Sequence, residues 1–246
     1  MSDAPVTALS ARLRAMTAAR VALGRSGSGL PTRAALAFAL DHARAREAVW
    51  SAMDLPALRT ALSAWPLAEV GSAAPDRAAY IRRPDLGRRL APGTVLSLPK
   101  SDLVIVVADG LSATAVDAHA ATVVNALQAL RAAPASVVLA ERARVALGDE
   151  IGAAAGADAV VLLIGERPGL SAADSLGAYI TWAPEPGLPD SRRNCISNIR
   201  PGGLDPEEAA HRIAGLLAQM KRAKTSGVAL PRAVPITAEP GPGQIG

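Results

Sequence analysis

Asp102–Ala108 reads DLVIVVA and Ala159–Ile164 reads AVVLLI. A short, continuous apolar run of this kind is the signature of a strand buried on both faces. Between the two runs, Ser112–Arg131 reads as a helix, Ser136–Ala140 as a second strand and Asp149–Ala155 as a short helix. Strand, helix, strand, helix, strand predicts a parallel α/β sheet with helices on both faces. Tyr179–Trp182 is a candidate fourth strand, and Pro206–Lys224 a closing helix. The expected fold is therefore an open, mostly parallel, Rossmann-like sheet.

Towards the N-terminus the pattern changes. Residues 71–100 carry Pro75, Pro84, Pro92 and Pro99 and read as an extended linker rather than a core element. Residues 1–70 read as a small helical region. Leu9, Leu13, Met16 and Arg20 share one helical face, and Gly24 is a stop signal. Pro31 and Thr32 start a second helix through Leu36, Leu40, Ala43 and Glu47 to Trp50, and a third, weaker one falls at Leu55–Trp65. The α/β domain is expected at 101–230. The Pro- and Gly-rich tail, 231–246, is expected to be disordered.

Composition narrows the function. Half of the 246 residues are hydrophobic, but only 2% are aromatic. Modules that stack bases need several placed rings, which argues against a nucleic-acid partner. Lys occurs only at 100, 221 and 224, so the formal charge of +4 is carried by arginine. Cys195 is the one cysteine, which excludes an internal disulfide and a multi-cysteine metal site. No apolar run approaches the roughly 18 residues a membrane span needs, and no signal-peptide pattern is present. The expectation is a soluble, cytoplasmic protein.

In open α/β sheets, ligands bind outside the carboxyl ends of the strands. The first strand ends at Asp109-Gly110-Leu111-Ser112, where Ser112 is placed to cap the next helix. The second runs out towards Arg142–Val145, and the third ends in Gly165-Glu166-Arg167-Pro168-Gly169. A charged pair directly after six apolar residues suits a cleft, although an ordinary polar loop reads the same way. Asn194–Asn198, which contains Cys195, is a further candidate wall. Cys195 itself reads either as a nucleophile or as a small buried hydrophobe. Arg82, Arg83, Arg88 and Arg89 crowd a turn that is either a solvated linker or an interface. Other signals fail. The glycine-rich loop at 24–29 lacks a preceding strand and a following Lys-Ser/Thr pair, and no dinucleotide fingerprint follows the first strand. His42, His119 and His211 sit in separate helices without metal-ligand spacing, and Ser171 and Ser175 lack a nucleophile elbow.

Six segments, taken together, resemble one family. GRSGSGLPTRAALAFALDHARAR, RRPDLGRRL, VVADGLSATAV, VLLIGERPGL, DSLGAYITWAP and RNCISNIRPGGL run in order from about Val21 to Leu230. The chain is similar to the small subunit of ethanolamine ammonia-lyase, a carbon–nitrogen lyase dependent on adenosylcobalamin. The resemblance implies a large TIM-barrel partner subunit in an assembly of six plus six, with cobalamin held between the two. It implies radical conversion of ethanolamine to acetaldehyde and ammonia, with the substrate residues on the large subunit and no catalytic residue on this chain. The family's cofactor contacts carry over onto Val145, Glu166 and Cys195. A carboxylate at 166 suits the primary amides of the corrin rim, and Val145 and Cys195 offer small apolar surfaces to the ring. Some members carry a longer N-terminal extension linked to packaging in a bacterial microcompartment; here family-like sequence begins about twenty residues in. Two other readings compete: a purely structural partner for a large catalytic chain, and a nucleotide-binding oxidoreductase on the same kind of sheet.

Overall fold

A computed structural model describes residues 8–17 and 19–231. Two strands form its centre: β2 (Leu103–Ala108) and β4 (Ala159–Gly165), in which every residue is buried. They run parallel, Leu103 opposite Ala159 through Ala108 opposite Ile164. On the other side of β2 lies β3 (Ser136–Glu141), also parallel, and beyond it β1 (Leu67–Gly71). After β4 the chain turns back into β5 (Leu176–Trp182) and again into β6 (Asn194–Ile199), both antiparallel to their neighbours. The order β1-β3-β2-β4-β5-β6 is an open, mostly parallel sheet, as the sequence predicts.

Alternation along β2 divides the core in two. Leu103, Ile105 and Val107 enter one cluster with residues of α3 (Leu55–Ala61), α5 (Ala113–Ala129) and α7 (Pro206–Ala223). Val104, Val106 and Ala108 enter the other, with Leu147 and Ile151 of α6 (Leu147–Ala154). Helices on both faces follow, since each face of a doubly apolar strand needs cover. Ser112 caps α5 by accepting from the Ala115 N–H at 3.2 Å. Among the described residues, no helix is long and apolar enough to cross a membrane.

Several element expectations need correction. Leu67–Gly71, read as the end of the helical region and the first residue of the linker, is an edge strand. Only Val70 of its five residues is buried, so it lacks the continuous apolar signal of the central strands. The third helix stops at Ala61 rather than Trp65, because the chain must turn at Leu62 to enter β1. The proline-rich stretch 71–100 is a packed strap and not a detached linker. It contains α4 (Arg77–Arg82), whose Tyr80 is fully buried and donates its hydroxyl to the Ala143 carbonyl at 2.9 Å. The guanidinium groups of Arg77 and Arg144 lie over the Tyr80 ring at 4.7 and 4.3 Å. Leu90, Leu96 and Leu98 pack on the α6-side core. Prolines break regular structure without preventing burial, and composition alone does not separate the two. The fourth strand starts at Leu176, three residues earlier than expected, and Asn194–Ile199 is a strand in its own right.

At the N-terminus, α1 (Ala8–Met16) and α2 (Thr32–Trp50) follow the expected periodicity. Arg20 lies beyond the end of α1 and pairs with Asp41 at 2.6 Å. The tail read as disordered lies, after Pro231, outside the described residues.

Candidate functional site

The carboxyl ends of β2 and β4 meet at two glycines. The Leu111 N–H donates to the Gly165 carbonyl at 3.0 Å. A Cβ on Gly110 would lie 2.2 Å from that oxygen, and one on Gly165 would lie 2.0 Å from the Ser112 carbonyl oxygen. Gly110 also has φ of +54°. Side chains are thus excluded from this junction, and the next residue after Gly165 is directed away from it.

That residue is Glu166. Its N–H donates to the Ser175 carbonyl at 2.9 Å, continuing the β4–β5 ladder. The Ser175 hydroxyl donates to Glu166 Oε2 at 2.5 Å, and the Asn198 N–H reaches the same oxygen at 3.4 Å. Asn198 has φ of +61°, close to an irregularity in β5–β6 pairing between Leu176 and Ala178. Asparagine tolerates that left-handed conformation, which turns its N–H towards the carboxylate. Oε1 carries no hydrogen bond among the described residues. It sits over Gly177, where a Cβ would stand 3.0 Å away.

Two residues further along β5 is Tyr179, directly opposite Cys195 on β6. The Tyr179 hydroxyl and the Cys195 thiol influence each other's titration, and Glu166 adds its negative charge to both groups. Burial pushes the Tyr179 hydroxyl up to about 12, with smaller contributions from Cys195 and Glu166. The Cys195 thiol is also raised, first by desolvation, although Tyr179 opposes the shift. A thiol raised above its ordinary value stays protonated at neutral pH. The shift runs opposite to the activation a nucleophilic thiol needs, and the residue is exposed, which the buried-hydrophobe reading does not fit.

Val145 reaches the same side of the sheet from the β3 end. It lies half-buried in the turn into α6, and both it and Tyr179 pack on the core cluster of that face. The structure thus brings Glu166, Tyr179 and Cys195 into one electrostatically linked group, with Val145 on the same face. Cys195 lies lower than a strand-end position, since its partner Tyr179 pairs with Leu162 in the middle of β4.

The surroundings fix this arrangement. Arg193, two residues before Cys195, is buried against Asp149 of α6, with Nε to Oδ2 at 3.0 Å. Burial raises the Asp149 carboxyl above its ordinary range, and Arg193 pulls it back. On the far side, Asp109 at the end of β2 pairs with Arg77 at 2.9 Å and accepts from the Ala143 N–H at 3.0 Å. The strap therefore covers the ends of β2 and β3, and the open flank is the one bearing Glu166 and Cys195.

Sequence reading set Ser175 aside as a failed nucleophile and did not single out Tyr179 or the Asn198 amide. The first carries a detectable signal, a serine just before an apolar strand. The other two depend on the register of a β-hairpin, which no local pattern encodes. Glu166 is held by Ser175 and Asn198, and no ion pair joins it to the adjacent Arg167 among the described residues. Arg82 and Arg83 are also engaged, with the Ala78 carbonyl and Asp85 respectively, whereas Arg88 and Arg89 are exposed without a side-chain partner among the described residues.

Comparison with known proteins finds relatives along nearly the whole chain. The profile of the ethanolamine ammonia-lyase light chain matches residues 8–231, beginning before the quoted motifs at Val21. The chain is 55% identical over 230 residues to the ethanolamine ammonia-lyase small subunit of Bradyrhizobium diazoefficiens, covering 89% of this chain and 88% of that one. Against the Rhodopseudomonas palustris small subunit it is 54% identical over 229 residues, covering 89% and 88%. Against that of Xanthomonas campestris pv. campestris it is 49% identical over 234 residues, covering 89% and 86%.

Proposed function

The chain belongs to the ethanolamine ammonia-lyase light-chain family, and on that premise we propose that it binds a large catalytic subunit and helps hold adenosylcobalamin at their shared surface. The assembly would be six of each, with the large subunit a TIM barrel, and the reaction the conversion of ethanolamine to acetaldehyde and ammonia. When bound, the cofactor would supply radical chemistry by homolysis of its cobalt–carbon bond.

One observation carries the cofactor reading. Glu166 keeps Oε2 for Ser175 and Asn198 and leaves Oε1 without a partner, above a glycine that leaves it room. The corrin rim is lined with primary amides, whose N–H groups donate, so the donor set fits. A carboxylate fixed by two internal bonds is already oriented and loses little entropy on accepting a third. The exposed Cys195 thiol and the half-buried Val145 supply small apolar surfaces on the same face. This chain's contribution is to bind and orient. It offers no acid–base residue for the substrate, whose contacts would lie on the large subunit. The structural-partner reading has one observation in its favour, since the Ser175 and Asn198 bonds also let Glu166 brace the β4–β5 turn.

The test is Glu166→Gln in the assembled complex. Losing a charged hydrogen bond worth about 1.5–3 kcal/mol should weaken cobalamin affinity by roughly 10- to 150-fold, read from the change in visible absorbance on titration. Turnover at saturating cofactor should fall less. Affinity within about threefold of the unmodified complex, with a lowered Tm, would support the bracing role instead.

A further inference from the structure

Helix α2 is inside out. Its 19 residues bury only Ala48. At 100° per residue, Ala34, Asp41, Ala45, Ala48 and Val49 fall on the side towards the domain, and these five are the helix's less exposed residues. Leu36, Leu40, Ala43 and Trp50 fall on the opposite side. Leu36 is 65% exposed, Leu40 51% and Trp50 54%. An amphipathic helix normally turns its bulky apolar stripe inward. Here the small residues seat the helix, and the stripe points into solvent. Leu9, Leu13 and Met16 of the neighbouring α1 are exposed as well.

The charge around this surface is equally uneven. Residues 8–50 carry seven arginines against Asp41 and Glu47, whereas residues 51–246 hold nineteen basic and nineteen acidic groups. All the net positive charge of the chain thus accompanies the N-terminal helices. Helical geometry puts Arg33 and Arg44 on one flank of the stripe and Arg46 on the other. None of the three has an ion pair among the described residues.

We propose that the outward stripe of α2 is the docking surface for the large subunit, and that it seats in an apolar groove with an acidic rim. The inference rests on the small-subunit reading above and adds where the partner sits. An apolar centre ringed by unpaired arginines fits a stable protein interface, in which aromatic and aliphatic anchors are enclosed by a polar border. Charge argues against a second copy of this chain, because two such surfaces would bring like-charged arginine rims together. Glu47 falls within the stripe. A protein groove can place a hydrogen-bond donor against that carboxylate and lipid hydrocarbon cannot, which argues against a membrane surface.

The experiment is co-expression of the full chain with the large subunit of the same organism. Association is measured by sedimentation for the unmodified chain and for Leu36→Glu/Leu40→Glu. Both positions are solvent-exposed, so the variant's Tm should match that of the unmodified chain. The expected result is association at least about 30-fold weaker in the variant. A photo-crosslinking residue at position 40 should capture the large subunit. Equal association of the variant, or a crosslink from position 40 into a second copy, overturns the inference. So does stripe-dependent binding of the unmodified chain to phosphatidylserine vesicles. If the unmodified chain forms no complex at all, the small-subunit reading fails first, and that result is distinct from a complex that forms but ignores the stripe.

Discussion

Helices α5 and α2 are close in length, and both are rich in alanine, yet they end on opposite sides of the protein surface. Nine residues of α5 are buried, among them Val116, Ala120, Val123 and Leu127 at helical spacing. In α2 the same spacing collects Leu36, Leu40 and Trp50, and all three are exposed. Periodicity identifies an apolar stripe, but not the molecule whose surface will cover it. In α5 the cover is this chain's own sheet. In α2 it must come from outside.

The largest expected effect tests this contrast directly. Val123→Asp would place a carboxylate, without a partner, in a fully buried site. It should cost more than about 4 kcal/mol and leave the chain largely unfolded in circular dichroism. Leu40→Asp should leave the unfolding free energy of the chain, measured in urea, within the range expected of a surface change, about 0.5 kcal/mol. Comparable destabilisation by both would mean that α2 is packed within this chain after all.

The second test compares buried and exposed ion pairs. Arg193 and Asp149 are almost fully buried, whereas Arg83 and Asp85 are mostly exposed. Arg193→Ala leaves a buried carboxylate unpaired and should cost about 3–5 kcal/mol at pH 7. The sign of its pH dependence follows from the direction of the Asp149 shift. Burial raises the folded-state value above the unfolded one, so the favourable contribution is present at low pH and is lost as pH rises through the folded value. Removing Arg193 takes away the charge that opposes the rise. The deficit should therefore be greatest at neutral pH and shrink towards pH 4, as Asp149 takes up a proton. A deficit independent of pH would show that Arg193 acts through packing alone. Arg83→Ala should leave the denaturation curve unchanged.

The same contrast explains what was legible in the sequence. β2 and β4 are buried on both faces, so DLVIVVA and AVVLLI announce them. β1 lies at the edge, with one buried residue in five, and gives no such signal. Tyr80 shows the opposite difficulty: a fully buried ring inside a proline-rich stretch, whose partner, the Ala143 carbonyl, is contributed by residues after β3. At the candidate site, Glu166 was readable because a charge directly after an apolar strand is locally anomalous. Tyr179 and Asn198 join it only through the register of β5 against β6, which is set by contacts distant in sequence.

Ser112 gives an intermediate effect. Its hydroxyl donates to the Ala173 carbonyl at 2.7 Å, and its oxygen accepts from the Ala115 N–H. It thus caps α5 and ties the segment before β5 to the end of β2. Ser112→Ala should lower stability by about 1–2 kcal/mol, measured by urea denaturation. A loss of only a few tenths would mean that neighbouring water satisfies both groups without cost. Gly in its place should restore little, because the Ala173 tie would still be missing.

The smallest effect on the fold, and one that separates fold from assembly, concerns Arg88 and Arg89. Of the four arginines in this part of the strap, Arg82 and Arg83 already have internal partners, whereas Arg88 and Arg89 are exposed and without them among the described residues. Gly87 beside them is fixed, because its carbonyl accepts from the Arg144 N–H at 2.7 Å. The two guanidinium groups are therefore held on a fixed piece of backbone while contributing no ion pair to this chain. Replacing both with Ser should leave stability within about 0.5 kcal/mol. If the large subunit reaches this end of the sheet, the loss of two rim charges should slow association by a few fold at low ionic strength. The difference should vanish near 0.5 M salt, where the Debye length falls to about 4 Å. Stopped-flow association of the two subunits at both ionic strengths measures this. A rate unchanged even at low salt would place Arg88 and Arg89 on a solvated surface and confine the partner's charge complementarity to the arginines flanking α2.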